Sequence, residues 1–324
     1  MRKHLWIGLL VAGVCLYYAF RGVSFSQLVG VLAHGRPLPI LLALSLYIFG
    51  YLLRSERWAV LIKPIRTISA SSLFWPMVIG FFANNVLPFR MGELVRAHIC
   101  GRKFKISRAA SLGTILLERI CDSLAFLTTF LVASLFYPFN RDLEKGAWLL
   151  GGGCILVLVL LVLIRQYEGW FHAALDRCPV PASWKTRFKN LTIHFIHSTS
   201  GITQPRYVIE AMAFSLVIWS IEGTFLYLMA HAFAVDIKYG QAFFLLLALG
   251  LSVTLPQAPG YVGTYELFGV TALGFLGIPK NQGLPLILAI HGMQFLFIAT
   301  LGTFALWREG LSFSHIVSVE SEQE

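Results

Sequence analysis

The chain has 324 residues, of which 57% are hydrophobic and 13% charged, with a formal net charge of +10 at pH 7. With a positive mean hydropathy, that composition leaves too little polar surface to clothe a soluble globule of this length, and several membrane spans are expected. No nucleic-acid partner is expected, and the five cysteines (15, 100, 121, 154 and 178) show no metal-ligand spacing. They read as small packing residues rather than disulfides.

In chain order, Arg2-Lys3 precede an apolar run over 5–20. The sequence Tyr17 to Arg21 makes a poor signal-peptide cleavage site, so the run reads as a first span. A second apolar run covers 37–53 and ends in Arg54 and Arg57. The third, 67–89, carries no charge and is broken at Asn84-Asn85 and Pro88. It is followed by Arg90, Arg96, Arg102, Lys103, Lys105 and Arg108. A full crossing would leave those basic residues outside, against the preference for Lys and Arg on the cytoplasmic side. A re-entrant hairpin that enters and leaves from the cytoplasm removes the conflict.

The run 109–136 is the next span, long enough to require tilt across a core of about 30 Å. The run 147–164 returns to the cytoplasm. The polar connection 165–206 interleaves Trp170, Phe171, Trp184 and Phe188 with basic residues, as suits an interfacial helix on an anionic leaflet. The run 207–233 crosses outward. The stretch 239–278 is interrupted at Pro256 and Pro259-Gly260 and reads as a second hairpin entering from outside, so that 283–307 runs inward and leaves Arg308 in the cytoplasm. Most of the 26 Lys and Arg then lie on the cytoplasmic side, with Arg119 inside a span.

The expected fold is an all-α polytopic membrane protein, a single membrane domain over 1–324. It comprises about six full spans and two re-entrant helical hairpins, with both termini cytoplasmic. The order span, span, hairpin, span occurs in 1–136 and again, with opposite orientation, in 147–308, which is an inverted-topology repeat. Substrate sites in such folds lie near the midplane, where broken helices of the two halves meet.

The breaks at 84–96 and 256–267 are therefore the candidate site. Backbone irregularity at membrane depth survives only where protein or a water-filled cavity surrounds it. Asn84, Asn85 and Pro88 form the first break, and Gly92 permits close backbone approach. Arg90, Glu93 and Arg96 share one helical face, and two arginine forks suit a phosphate. Glu118, Arg119 and Asp122 lie near the middle of their span, where charges are costly and normally paired. Arg119 can pair with Asp122, while Glu118 needs a further cation, from Arg90 or Arg96. The competing reading of these groups is a structural salt-bridge network without a ligand. In the second break, Gln257, Tyr261, Thr264, Tyr265 and Glu266 offer hydrogen bonds but no cation, and Pro259, Gly260 and Gly263 set its shape. Glu266 is expected to pair with an arginine of the first half. Glu222 is a further intramembrane carboxylate, and Glu93, Glu222 and Glu266 are candidates for proton coupling. His231 and His291 read as packing or hydrogen-bonding residues rather than ligands.

The three segments N-N-V-L-P-F-R-M-G-E-L-V-R (84–96), E-R-I-C-D (118–122) and P-Q-A-P-G-Y-V-G-T-Y-E (256–266) resemble the membrane region of the lysylphosphatidylglycerol synthase and flippase family. The resemblance spans nearly the whole chain. It implies a lipid translocase whose core includes Asn85, Pro88, Arg90, Gly92, Glu93, Arg96, Glu118, Arg119, Asp122, Pro259, Gly260, Gly263 and Glu266. Bifunctional members carry a soluble synthase domain. Here the sequence ends at Glu324, so synthesis of lysylphosphatidylglycerol is not expected.

The sequence thus predicts a flippase for a lipid with a charged or phosphorylated head group. No cofactor, metal or ATP-binding phosphate loop is expected. Its expected partners are anionic or phosphorylated membrane lipids and lipid-biosynthesis enzymes, and its expected location is a bacterial cytoplasmic membrane. The alternatives are a membrane-embedded transferase acting on aminoacyl-, hopanoid- or polyprenyl-phosphate-linked lipids, and an accessory protein of lipid synthesis.

Overall fold

A computed structural model describes residues 13–22, 24–87, 91–136, 177, 185, 205–253 and 258–312. The described residues form helices and no strand, as an all-α membrane protein requires. After α1 (13–20) come α2 (Phe25–Ala33), α3 (Pro37–Ile62), α4 (Ala70–Val86), α5 (Gly92–Phe104) and α6 (Arg108–Phe136). They are followed by α7 (Pro205–Ala232), α8 (Tyr239–Ser252), a 3₁₀ turn (Pro259–Tyr261), α9 (Thr264–Phe275) and α10 (Lys280–Arg308). By length and composition α3, α7 and α10 are apolar enough to cross a membrane. The runs 147–164 and 165–206 lie outside the described residues apart from Arg177, Lys185 and the start of α7, and so do Cys154 and Cys178. Cys100 and Cys121 are buried free thiols.

Local sequence explains where the helices break. Pro37 and Pro205 open α3 and α7, where a missing N–H costs nothing and the fixed φ suits the first turn. Leu87, just before Pro88, is extended at φ −88° and ψ 147°, because the proline ring disfavours the helical region for the residue before it. That ends α4. The hairpin formed with α5 is very close: a Cβ on Gly92 would collide with the Gly80 carbonyl oxygen. The Gly92 N–H donates to Asn84 Oδ1 at 2.8 Å, satisfying one of the orphan donors of the helix start.

One boundary differs from the sequence reading. The second span does not stop at 53. It continues through Trp58 to Ile62, and Arg57 is completely buried. The apolar run 58–62 resumes on the far side of the two arginines, and both are tolerated within the helix because carboxylates from other helices meet them.

Element lengths recur along the chain. Helices α3, α4, α5 and α6 have 26, 17, 13 and 29 residues, and α7, α8, α9 and α10 have 28, 14, 12 and 29. Packing recurs as well. The hairpin helix α4 packs on α10, and α8 packs on α6; α5 packs on α6, and α9 on α10. Helices α3 and α7 make the most extensive pairing and run antiparallel, since Tyr47 meets Phe225, Arg54 meets Glu222 and Arg57 meets Ser215. Arg54 and Glu222 are 168 positions apart, the same offset as Pro37 and Pro205. Under that offset Tyr47 corresponds to Ser215 and Arg57 to Phe225, so the first and third contacts exchange. The Arg54–Glu222 contact maps onto itself.

Candidate functional site

The first hairpin delivers its charges into a packed ion cluster. Helix α5 turns Val95, Arg96 and Ile99 inward. The Arg96 guanidinium lies 3.6 Å above the Trp58 ring and donates to both oxygens of Glu118, at 3.0 and 2.8 Å. Trp58 is itself held by a 3.0 Å bond from Nε1 to Thr114 Oγ1. From α3, Arg57 reaches Glu118 at 3.2 Å, both oxygens of Asp122 and Ser215 Oγ at 2.7 Å. Asp122 also accepts from Trp219 Nε1 at 3.1 Å and pairs with Arg119 at 3.2 Å. Arg119 contacts Glu118 as well and faces Glu93 at 3.8 Å. Its side chain is 30% exposed, against 0% for Arg57 and 3% for Arg96. The expected Arg119–Asp122 pair is present, and the cation that Glu118 needed comes from Arg96 together with Arg57. Planar, bidentate forks satisfy both lone-pair sets of these carboxylates, which is what makes burial of so many charges tolerable.

The second hairpin is anchored without an arginine. Gly260, Tyr261 and Gly263 have φ of 73°, 61° and 92°. The two glycines adopt this left-handed backbone without a side-chain clash. The turn aims the Gly263 N–H at Glu266 Oε2 at 2.6 Å, while Glu266 Oε1 lies 2.5 Å from His291 Nδ1. His291 Nε2 faces the Gly260 carbonyl oxygen at 2.8 Å. A carbonyl only accepts, so Nε2 carries a proton, and one further proton sits between Nδ1 and Oε1. The pair is net neutral wherever that proton resides. Glu266 therefore binds His291 and its own turn, not an arginine of the first half as expected from sequence. The nearest arginines are consumed by Glu118, Asp122 and Glu222. Tyr265 stacks on His291 with ring centroids 4.5 Å apart and donates to Gln294 Oε1 at 2.9 Å. Thr264 is buried and donates to the Tyr261 carbonyl at 3.2 Å.

Between the hairpins lies a cavity of about 230 Å³. Asn84 and Asn85 of α4, Tyr261 and Tyr265 of the second hairpin, and Arg54 and Glu222 of α3 and α7 all face it. Arg54 Nη2 and Glu222 Oε1 are 2.6 Å apart, and the guanidinium also sits 5.4 Å from the centre of the Tyr51 ring. Of the residues expected at the site, Asn84, Asn85, Tyr261, Tyr265 and Glu222 line the cavity. Arg96, Glu118 and Asp122 belong to the neighbouring ion cluster, Arg119 and Glu93 lie at its more open side, and Gly92 makes the α4–α5 crossing. Gly260, Gly263 and Glu266 shape the second hairpin from behind, with Pro259 in its 3₁₀ turn. Pro88, Arg90 and Gln257 lie outside the described residues. Sequence reading missed Arg54, Tyr47, Tyr51, Trp219 and Gln294 as cavity residues. The resumption of apolar residues after Arg57 was the signal that both arginines lie inside a helix rather than at its end.

The fold and this buried polar site define an integral membrane protein. Residues 5–302 match the sequence family of the lysylphosphatidylglycerol synthase TM region, and the chain belongs to that family, a membrane and lipid-related one. It is 21% identical to a UPF0104 membrane protein of Methanothermobacter thermautotrophicus, over 96% of this chain and 98% of that protein. It is 25% identical to a second UPF0104 membrane protein of the same organism, over 81% of each chain. It is also 22% identical to the glycosyltransferase AglD of Haloferax volcanii, over 80% of this chain and 47% of AglD.

Proposed function

We propose that the protein is a flippase of the cytoplasmic membrane, moving a lipid with an anionic or phosphorylated head group between leaflets without changing it chemically. The observation that carries this reading is the Arg54–Glu222 ion pair on a polar cavity where the two hairpins meet. The recurrent helix lengths, the antiparallel α3–α7 pair and the exchanging contacts support an inverted-topology repeat with re-entrant hairpins, and the distribution of Lys and Arg favours cytoplasmic termini. In that arrangement a head group enters the cavity from one leaflet while its chains stay in lipid, and a shift between halves opens the cavity to the other leaflet. The carboxylates differ in fitness for proton coupling. Glu266 is held by His291 and the Gly263 N–H, Glu93 faces Arg119 at the cluster's open side, and Glu222 alone of the three lines the cavity. Lipid-biosynthesis enzymes are the proposed source of the substrate.

The test is reconstitution of the full chain into phosphatidylcholine vesicles containing acyl-labelled fluorescent phosphatidylglycerol, with a membrane-impermeant quencher outside. Quenching that proceeds past the outer leaflet, with the lipid recovered unaltered, is the expected result; quenching equal to protein-free vesicles overturns the reading. A transferase acting on a lipid-linked substrate is the second reading, favoured by the similarity to AglD. Recovery of chemically altered lipid would support it.

A further inference from the structure

The Arg54–Glu222 ion pair on the cavity makes a more specific statement about the proposed transport site, and it rests on that reading. Among the described residues Arg54 is the cation that lines the cavity, and its Nη1 is buried with no hydrogen-bond partner there. Nη1 lies over Gly50, where a Cβ would come within 3.2 Å. The guanidinium is thus held to one oxygen of Glu222 through a single nitrogen, whereas Arg57 and Arg96 each meet carboxylates through both terminal nitrogens and, among the described residues, leave only Nε without a partner. An unsatisfied buried N–H is costly and is normally answered by water or ligand.

Charge balance narrows what the ligand does. In the described residues of this region the arginines 54, 57, 96 and 119 face the carboxylates Glu93, Glu118, Asp122 and Glu222, and the Glu266–His291 pair is neutral. A phosphate monoanion that replaces Glu222 on Arg54 therefore leaves one surplus negative charge in the cavity. A buried, unpaired carboxylate relieves that cost by taking a proton. Among the described residues, the groups around Glu222 in the cavity offer no replacement cation. Arg54, Tyr47 and Tyr51 come from α3, Tyr261 and Tyr265 from the second hairpin, Trp219 from α7 itself, and His291 from α10 is committed to Glu266. Asp122 of α6, bonded to Trp219, adds negative charge nearby.

We propose that Arg54 is the anion-binding residue of the cavity and that Glu222 is its resident counter-ion, displaced by the lipid phosphate and taking up one proton from solution as it leaves. Binding of the anion and of the proton are then a single event, and the cavity is neutral both empty and loaded. Because the Arg54–Glu222 contact maps onto itself when the two halves are exchanged, the exchange site stays in place when the cavity opens to either leaflet.

The test uses the full chain in detergent with dihexanoyl phosphatidylglycerol as the probe, reading lipid binding by calorimetry and proton uptake by a pH indicator in weakly buffered solution. The wild type is expected to take up about one proton per lipid bound, so that affinity rises about tenfold for each unit fall in pH. Glu222→Gln should bind the lipid with no proton uptake and no pH dependence. Arg54→Gln should bind more than tenfold more weakly, with Arg54→Lys restoring part of the loss; retained size-exclusion profile and melting temperature show that these variants fold. Proton uptake by Glu222→Gln equal to wild type, or full affinity in Arg54→Gln, overturns the exchange while leaving a flippase intact. Absence of lipid binding by the wild type overturns the head-group cavity itself.

Discussion

The two hairpins occupy corresponding places in the fold and are fixed by different chemistry. The first is tied down by ions: Arg96 and Arg57 on Glu118, and Arg57 on Asp122, fully or nearly fully buried. The second is tied down by a left-handed turn and a neutral Glu266–His291 pair. Ionic locks in a low-dielectric interior are rigid because breaking one partner leaves a bare charge. The second lock carries no net charge wherever the shared proton resides, so it adds no surplus charge to the interior. The difference teaches that the cation-rich side, which looks from its composition like the place for a phosphate, has its described arginines committed to carboxylates of its own, and that the proposed exchange chemistry lies where the two sides meet.

The comparison can be broken most severely at Arg57. Arg57→Ala strips Glu118 and Asp122 of a shared partner and should destabilise the protein by about 3–5 kcal/mol, seen as loss of folded protein on detergent extraction or a large fall in unfolding midpoint. Retention of wild-type stability would remove the ionic lock. Next comes Gly92→Ala, which pushes a methyl group into the Gly80 carbonyl. A cost of about 1–3 kcal/mol is expected from forced backbone shifts, and an unchanged denaturation curve would show that the α4–α5 crossing is loose. A cost of about 1–3 kcal/mol is also expected for His291→Ala, since Glu266 Oε1 and the Gly260 carbonyl lose their partner. If the two hairpins are anchored as described, hydrogen exchange after this change should rise around Gly260 and Gly263 and stay unchanged in α5. The smallest effect belongs to Lys103, paired with Glu309 at 2.5 Å on the exposed edge of α5. Lys103→Ala should cost less than about 1 kcal/mol and be masked by salt; a larger, salt-insensitive loss would give the first hairpin a second anchor.

Much of the architecture was legible because the physics of insertion is written locally. Apolar runs, proline and glycine breaks and the distribution of Lys and Arg marked α3, α4, α7, α8 and α10 and the two halves. The pairing of Arg119 with Asp122 followed from helical spacing alone. Partner choice across helices was legible only in part. Arg96, one of the two cations expected for Glu118, does pair with it, but Arg57 supplied a second from a helix thought to end before it. Glu266 could be seen to need a partner, but the nearer donor was His291, 25 positions away.

The sequence by itself determined that this is a helical membrane protein, that its apolar sequence is interrupted near 84–88 and 256–260, and that buried charges must be paired, because hydrocarbon imposes those conditions on any segment independently of its neighbours. Only the tertiary structure decided which charges are neutralised in the packed cluster and which pair is left on the cavity. That depends on which faces of α3, α6 and α7 meet: a guanidinium can be rigidly locked or available for exchange according to how many carboxylate oxygens the surrounding helices bring within reach.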